Sequence, residues 1–256
     1  MTSINRVKEI WSAGRAAFGV WCGIPGAFGI ELVEGAGFDF VCIDRQHGLV
    51  GDDAMYAMIR AAEGIEATPF VRVSQNEPWM VMAALDAGAL GVIVPLVNNA
   101  DDARRAVSAC RFPPAGTRSY GPIRAGRRLG IDPEPLGENV LCVAQIETKE
   151  GLENAEEIIS TPGLDGVYVG PADLALTLGV PLEDASENTT HTDAVEHIRR
   201  TCEENGIASG VHTTSGEAAR ECAESGFTMA NAAVDYVMLP EAARREADIA
   251  RGGETK

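Results

Sequence analysis

The stretch Asp86–Val94, DAGALGVIV, decides the fold class. It joins the end of a helical pattern to a short apolar run through a glycine turn, and the stretches Glu34–Val41 (EGAGFDFV) and Glu224–Asn231 (ESGFTMAN) repeat this order. Glycine closes a helix in the left-handed conformation without a Cβ penalty. Apolar runs without polar alternation are typical of strands buried on both faces of a parallel sheet. The pattern therefore predicts repeated βα units.

Eight such apolar runs alternate with amphipathic, helix-like segments along the chain. The runs are Phe18–Ile24, Phe38–Ile43, Thr68–Val73, Gly91–Pro95, Val140–Ile146, Gly166–Val169, Ala208–Val211 and Phe227–Ala232. Eight βα units in a chain of 256 residues predict an α/β TIM (β/α)8 barrel, formed by residues 1–256 as a single domain. A doubly wound open sheet is the main competitor, but no G-x-G-x-x-G motif follows the first run.

Composition and charge exclude several classes of function. The chain is 45% hydrophobic and has a formal net charge of −17. This charge argues against nucleic-acid partners and against binding to an anionic membrane surface. The longest apolar runs are too short to span a membrane, and the N-terminal MTSINRVKEIW lacks the apolar core of a secretory signal. We expect small-molecule substrates.

The six cysteines have no spacing typical of a zinc site or a redox pair. Cys22, Cys42 and Cys142 lie within apolar runs, so buried free thiols are expected. Free thiols indicate a reduced, cytoplasmic setting.

Polar residues follow the ends of five predicted strands, where the loops of a barrel build the reactive face. They stand in the segments Asp44–Gly48, Arg72–Val73, Gln145–Thr148, Gly170–Asp173 and Gly210–Thr214. Glu147 and Asp173 suit Mg²⁺ or Mn²⁺, with positions left for substrate oxygens and water. The alternatives for these two residues are a paired acid/base dyad or two unrelated surface acids.

Three further groups carry a functional and a structural interpretation. Gly170-Pro171-Ala172-Asp173 begins a helix whose first amides suit a small anion, or Asp173 is a simple helix N-cap. Arg72, in an apolar strand, either binds an anionic substrate or pairs with an acid of a neighbouring strand. Asp44 and His47 form a general-base pair, or are a capping residue and a loop histidine.

The remaining candidates are aromatic or basic. Trp21 is expected in the core more often than in a ligand wall, and His212 is the only other histidine at a strand end. His191 and His197 are interpreted as solvated. The Arg-rich loop, residues 111–128, suits a subunit interface, a lid or a CoA phosphate. No lysine lies on a predicted strand, which argues against a Schiff-base aldolase.

Taken together, the motifs resemble the HpcH/HpaI family of metal-dependent (class II) pyruvate aldolases, which includes 4-hydroxy-2-oxoheptanedioate aldolases. The matching phrases are GVWCGIPGAFGIELVEGAGFDFVCIDRQHG, DAGALGVIVPLVNNADDARRAVSACRFPPAGTRS, VAQIETKEGLENAEEI and LDGVYVGPADLALTLG. The resemblance implies a barrel of the phosphoenolpyruvate/pyruvate superfamily with a swapped C-terminal helix. It also implies a homo-oligomer, from a dimer to a hexamer.

The resemblance assigns roles to individual residues. Glu147 and Asp173 match ligands of a divalent metal (Mg²⁺, Mn²⁺ or Co²⁺), and Arg72 matches the arginine that holds the keto oxygen of pyruvate. His47 with Asp44 matches the base dyad. The other matching positions belong to the substrate pocket: Trp21, Gln145, and the turn of Gly170, Pro171, Ala172 and Asp173, in which the amides of Ala172 and Asp173 match those that hold the carboxylate.

Two positions depart from the family pattern. Gln46 replaces the usual glutamate of Asp-x-Glu-His, and His212 replaces the leucine of Gly-Ile-Leu and makes the substrate pocket more polar. We expect reversible aldol cleavage of a 4-hydroxy-2-oxo acid to an aldehyde and pyruvate, or hydroxypyruvate. The alternatives are another enolate-forming enzyme on the same site, an acyl-CoA lyase or a decarboxylase, and a non-catalytic metabolite-binding barrel.

Overall fold

Eight parallel strands close into a barrel in the computed structural model, which describes residues 5–64 and 66–252. The strands are β1 (Ala17–Cys22), β2 (Phe40–Asp44), β3 (Thr68–Arg72), β4 (Gly91–Val94), β5 (Leu141–Ile146), β6 (Gly166–Val169), β7 (Ala208–Val211) and β8 (Met229–Val234). Each strand pairs with the next in parallel, and β8 pairs with β1. The predicted (β/α)8 barrel is confirmed. The first four residues of the N-terminal stretch lie outside the described residues.

Helices surround the barrel and connect its strands. They are α1 (Arg6–Ser12), α2 (Ala27–Leu32), α3 (Asp52–Ala62), α4 (Pro78–Ala87), α5 (Ala100–Cys110), α6 (Ala125–Leu129), α7 (Pro133–Glu138), α8 (Lys149–Glu153), α9 (Ala155–Ile159), α10 (Pro171–Thr177), α11 (Thr189–Asn205), α12 (Gly216–Glu224) and α13 (Asp235–Ala250). A short 3₁₀ turn covers Leu182–Asp184. Among the described residues, no helix is both long and apolar enough to cross a membrane.

Two apolar layers hold the barrel together. The larger layer lies between the strands and the surrounding helices, and the smaller layer fills the interior with side chains such as Trp21, Phe40 and Phe70. A Cβ on Gly91 would lie 2.2 Å from the ring of Phe70 on β3. Glycine on β4 therefore makes room for an aromatic ring of the neighbouring strand, and this pairing fills the barrel without a central channel.

The α13 helix joins this packing only near its start, where the partly buried Val237 contacts the interior layer. Its first residue, Asp235, accepts hydrogen bonds from the amides of Gly23 (2.9 Å) and Ile24 (3.0 Å), which fixes the start of α13 to the loop after β1. None of the residues of α13 is buried. In this chain alone, α13 therefore contributes little to the core.

Candidate active site

The polar residues predicted from strand ends gather at the carboxyl end of the barrel. Asp44 and Arg72 are the last residues of β2 and β3, and they are partners in the strand register. Glu147 directly follows β5, Asp173 is the third residue of α10, and His212 directly follows β7. The closed barrel thus points these side chains into one region at its reactive face.

Asp44 and Arg72 form a buried, two-pronged ion pair. Arg72 donates from Nε to Oδ1 of Asp44 at 2.9 Å and from Nη2 to Oδ2 at 2.6 Å. The two residues are 0% and 6% exposed. Burial alone would raise the pKa of Asp44, but the hydrogen bonds and charge of Arg72 outweigh it and lower that pKa. The pairing fixes the guanidinium at the mouth of the barrel.

Trp21 belongs to both the core and the site. It is fully buried, its ring centroid lies 5.5 Å from that of Tyr168, and the guanidinium carbon of Arg72 lies 4.9 Å from the Trp21 ring. His212 meets the same ring edge-on, with centroids 4.9 Å apart. The Trp21 Nε1 atom is buried and has no hydrogen-bond partner among the described residues. The indole N–H lies near the Asp44 carboxylate and contributes to lowering the pKa of Asp44.

Glu147 is a buried carboxylate held by two donors. It is 1% exposed, and its Oε1 accepts the backbone N–H of Leu96 at 2.9 Å. Its Oε2 accepts a hydrogen bond from Nε2 of Gln145, whose buried Oε1 has no partner among the described residues. Burial, assisted by the negative charge of Asp173, raises the pKa of Glu147. A cation placed between the two carboxylates would relieve this repulsion.

The donor set fits a hard divalent cation that keeps several other ligands. Within the part of the chain that the structure describes, no group of three or more His, Cys, Asp or Glu side chains could enclose an ion. Glu147 and Asp173 supply two carboxylates, and Mg²⁺ commonly uses one or two protein carboxylates while water and substrate oxygens complete its shell. Gly170, rather than Asp173, is the N-cap residue of α10, so the carboxylate of Asp173 is not used as a helix cap.

The predicted contact between Asp44 and His47 is made by the backbone of His47. Oδ1 of Asp44 accepts the amide of Gln46 at 3.0 Å and the amide of His47 at 3.4 Å. The imidazole of His47 is exposed and makes no hydrogen bond to Asp44 among the described residues. Asp44 therefore shapes the loop that carries His47 instead of orienting its ring directly.

The environment of His212 keeps its imidazole neutral. Burial and the positive charge of Arg72 lower the pKa of His212 to about 4, and Asp44 opposes this shift. Beside it, the amide of Thr213 donates to Oδ1 of the buried Asn231 at 3.1 Å, and the hydroxyl of Tyr168 donates to the same atom at 2.6 Å. A neutral polar ring thus faces Trp21 at the mouth of the barrel.

The interpretation of His191 as solvated is wrong, whereas His197 is exposed as expected. His191 is 5% exposed, and its Nδ1 lies 3.0 Å from the carbonyl oxygen of Ala185. Its Nε2 lies 2.8 Å from the carbonyl oxygen of Pro171, the first residue of α10. The residues next to His191 in the sequence are polar and gave no indication of burial. The contacts that bury it come from the preceding connection and from the helix that carries Asp173.

The Arg-rich loop is largely occupied by structural ion pairs. Arg111 pairs with Asp165 at 2.7 Å, and Arg118 pairs with Asp86 at 2.8 Å. Arg124 pairs with Glu63 at 2.7 Å. These three arginines tie the long connection before β5 to the rest of the barrel. Arg127 and Arg128 of the same loop have no ion pair among the described residues.

Leu96, which follows β4, is the contributor that the sequence did not indicate. Its amide contacts Glu147, and its φ of 55° is the only left-handed value among the described non-glycine residues. Leucine carries no sequence signal for this conformation, which Asn or Gly adopts far more readily.

Known proteins resemble this chain along almost its whole length. The model of the HpcH/HpaI aldolase/citrate lyase family matches residues 18–242. A hydroxypyruvate/pyruvate aldolase of Rhizorhabdus wittichii is 39% identical over 244 residues, covering 94% of this chain and 97% of the relative. A 4-hydroxy-2-oxo-heptane-1,7-dioate aldolase of Escherichia coli is 34% identical over 256 residues, covering 97% of this chain and 95% of the relative.

A solved structure agrees with these sequence relatives. An HpcH/HpaI aldolase/citrate lyase family protein of Burkholderia cenocepacia superimposes with a TM-score of 0.87 at 29% identity, covering 96% of this chain and 98% of that chain. The prediction of an aldolase-type carbon–carbon lyase is confirmed at the level of the family. The chain belongs to the HpcH/HpaI aldolase/citrate lyase family.

Proposed function

We propose that this protein is a divalent-metal-dependent aldolase that reversibly cleaves a 4-hydroxy-2-oxo acid to an aldehyde and pyruvate or hydroxypyruvate. The observation that carries the proposal is the buried carboxylate of Glu147. Its pKa is raised by burial and by the negative charge of Asp173, and it lies at the same end of the barrel as Arg72. Such a site combines a place for a cation with a fixed positive charge for a developing enolate.

Glu147 and Asp173 would hold the ion, for which Mg²⁺, Mn²⁺ and Co²⁺ are the candidates. When bound, a divalent ion supplies Lewis-acid polarisation of the 2-oxo group. Gln145 supports this arrangement because its Nε2 donates to Glu147 while its Oε1 has no partner among the described residues.

Arg72 would stabilise the substrate oxygen on which negative charge develops. Its Nε and Nη2 are committed to Asp44, and no acceptor among the described residues pairs with Nη1. We propose that Nη1 donates to the keto oxygen, with Trp21 forming the pocket wall beneath the guanidinium. The amides of Ala172 and Asp173, in the turn Gly170-Pro171-Ala172-Asp173, would hold the carboxylate, because first-turn amides have no partner within their helix.

His47 would move the proton of the reaction. Its exposed imidazole removes the proton of the 4-hydroxyl group, directly or through a water molecule. The C4–O π bond of the aldehyde then forms, the C3–C4 bond breaks, and its electron pair passes to C3 to give the enolate. Protonation at C3 releases the 2-oxo acid. Asp44 acts by holding the loop through the amide of Gln46 and by fixing Arg72.

The 3-hydroxyl of hydroxypyruvate is accommodated best by a polar pocket. His212, neutral because burial and Arg72 lower its pKa to about 4, offers a donor or an acceptor there. The relative from Rhizorhabdus wittichii is named a hydroxypyruvate/pyruvate aldolase, which supports both donors as candidates.

The first test measures pyruvate release from a panel of 4-hydroxy-2-oxo acids, using metal-free enzyme with and without Mg²⁺, Mn²⁺ and Co²⁺. We expect metal-dependent pyruvate formation that Glu147→Gln abolishes and Glu150→Gln, an exposed acid three residues further on, leaves intact. Turnover of a CoA ester or decarboxylation of a 2-oxo acid instead would favour another enolate-forming enzyme. Absence of metal binding and of turnover would favour a metabolite-binding barrel.

We also propose that the barrel, as one domain, works in a homo-oligomer between a dimer and a hexamer. The whole of α13 lacks buried residues, although Met238 and Leu239 are apolar and exposed. A swapped position of α13 on a second copy would cover them. The six unpaired thiols support a reducing, cytoplasmic setting.

A further inference from the structure

Leu96 holds an unfavourable backbone conformation directly beside Glu147. Its φ is 55°, and its amide donates to Oε1 of Glu147 at 2.9 Å. L-residues other than Asn and Asp rarely adopt this region, because Cβ approaches the following carbonyl oxygen. Such strain persists where surrounding structure enforces it, and it is concentrated at functional sites.

The segment around Leu96 is anchored on both sides. The amide of Val97, which is fully buried, donates to the carbonyl oxygen of Gln145 at 3.2 Å. Asn98 accepts hydrogen bonds from the hydroxyl of Thr148 at 2.5 Å and from the side chain of Asn154 at 2.8 Å. The loop after β4 is therefore fastened to β5 and to the segment that follows it, and this fastening keeps the Leu96 amide directed at Glu147.

The two oxygens of Glu147 are thus held by different donors. Oε1 accepts the Leu96 amide from β4's loop, and Oε2 accepts Nε2 of Gln145 from β5. Two donors on one carboxylate fix its rotation as well as its position, which a single hydrogen bond does not. Hydrogen bonds to a metal-binding carboxylate orient its remaining lone pairs.

We propose that Leu96 is a positioning residue of the metal centre, whose left-handed backbone directs its N–H to Glu147 and so presets this carboxylate for a divalent cation. The inference rests on the proposed function, because Glu147 is a metal ligand only there. Leu96 acts through its backbone, and its side chain, 48% exposed, is not required for this role.

The test compares Leu96→Gly with Leu96→Val, since both shorten the side chain but differ in their tolerance of positive φ. Glycine adopts φ near 55° without steric cost, whereas a β-branched residue there is strongly disfavoured. We expect Leu96→Gly to bind Mn²⁺ with a dissociation constant within about threefold of the unsubstituted protein. Leu96→Val should bind roughly 10–100-fold more weakly, the usual range for loss of a partner of a metal ligand.

Mn²⁺ binding is measured by isothermal titration calorimetry on the metal-free protein, with circular dichroism melting to show that both variants are folded. Aldol turnover of Leu96→Val should recover at saturating Mn²⁺, because its defect lies in affinity. Amide exchange supplies a readout without metal: the Leu96 N–H of the metal-free protein should be protected, and Glu147→Ala should increase its exchange rate.

Equal Mn²⁺ affinity in Leu96→Val and the unsubstituted protein would overturn the inference and leave the proposed function standing. Equal loss in Leu96→Gly and Leu96→Val would overturn it in favour of a side-chain role. If the unsubstituted protein itself failed to bind any divalent ion, the proposed metal centre would fall, and this inference with it.

Discussion

At the scale of single residues, the buried ion pair between Asp44 and Arg72 is expected to affect both stability and activity. Replacing Asp44 with Asn retains the shape of the side chain but leaves the guanidinium without its counter-charge. Because removing one partner of a buried ion pair typically costs about 3–5 kcal/mol, we expect a stability loss of that size and a large fall in kcat. Urea unfolding and pyruvate release would measure the two effects.

Asp52→Asn is the matched control for this substitution. Asp52 pairs with Arg45 at 2.5 Å, but its side chain is 59% exposed, so its loss should cost well under about 1 kcal/mol. Equal destabilisation by the two substitutions would show that burial of the Asp44–Arg72 pair does not determine its contribution.

His212 predicts a specific dependence of stability on pH. Its pKa is about 4 in the folded protein, because of burial and Arg72, against 6.5 as its ordinary value. The unfolded chain therefore binds a proton between these values when the folded protein does not. The contribution of neutral His212 to the free energy of unfolding is therefore fully present above pH 6.5. It is lost as the pH falls toward 4, and the loss is at most about 3 kcal/mol.

The measurement is the free energy of unfolding in urea from pH 4 to pH 8 for the unsubstituted protein and for His212→Leu. Other groups contribute to acid destabilisation of both, so the difference between the curves isolates the histidine. We expect the Leu variant to gain relative stability as the pH falls below 6.5. Parallel curves across this range would contradict the predicted burial of a neutral imidazole.

Single residues also mark the limit of what the sequence could predict. Residue types at strand ends identified Glu147, Asp173 and Arg72 as candidates, because barrel topology brings those ends together. The choice of Arg72's partner and the burial of His191 depended on which distant groups become neighbours. Local polarity does not encode such contacts, so the sequence left the first open and gave the wrong answer for the second.

At the scale of elements, a helix end explains why the start of the last strand differs from the prediction. The strands Gly166–Val169 and Ala208–Val211 have the predicted bounds, but β8 begins at Met229 rather than at Phe227. The amide of Phe227 donates to the carbonyl oxygen of Cys222 at 3.0 Å, and Gly226 has a φ of 103°. Phe227 therefore completes the helix-ending turn of α12. Its side chain is buried in the layer between the strands and the helices, which is why hydrophobicity alone predicts it as part of the strand.

The junction of β6 and α10 gives a prediction for an element boundary. A Cβ at Gly170 would lie 2.7 Å from Oε2 of Glu147 and 3.0 Å from Nε2 of Gln145. Gly170→Ala should therefore displace the Glu147 carboxylate and weaken Mn²⁺ binding by roughly 10–100-fold, with KM for the oxo acid also raised. Calorimetric titration and initial rates at varied Mn²⁺ would measure this. Gly216→Ala, where nothing lies within 4 Å, is the control, and similar affinities for both variants would contradict the prediction.

At the scale of the whole molecule, α13 is unusual for the outer helix of a barrel. It follows the last strand, but none of its residues is buried. Its first turn is held by Asp235 and by Val237, which packs against the interior layer, whereas Leu239 is 60% exposed. On α2, Phe28 and Leu32 are 67% and 68% exposed, which provides a second apolar surface for a helix to cover. Phe28 and Leu32 are four residues apart and therefore share one face of α2, and exposed apolar faces mark interaction sites. The barrel itself followed from the repeated βα pattern, but no pattern within one chain specifies contacts between copies.

We therefore expect the protein to assemble through α13. Light scattering after size-exclusion chromatography should give at least twice the monomer mass of 27.0 kDa, and Leu239→Glu should reduce it toward the monomer. Glu246→Gln, on the same helix but polar, should leave the mass unchanged. Each copy carries a formal charge of −17, so added salt screens the repulsion between copies and should strengthen assembly. Dissociation by salt would instead indicate an interface held by ion pairs, and a monomer under all conditions would show that α13 stays uncovered.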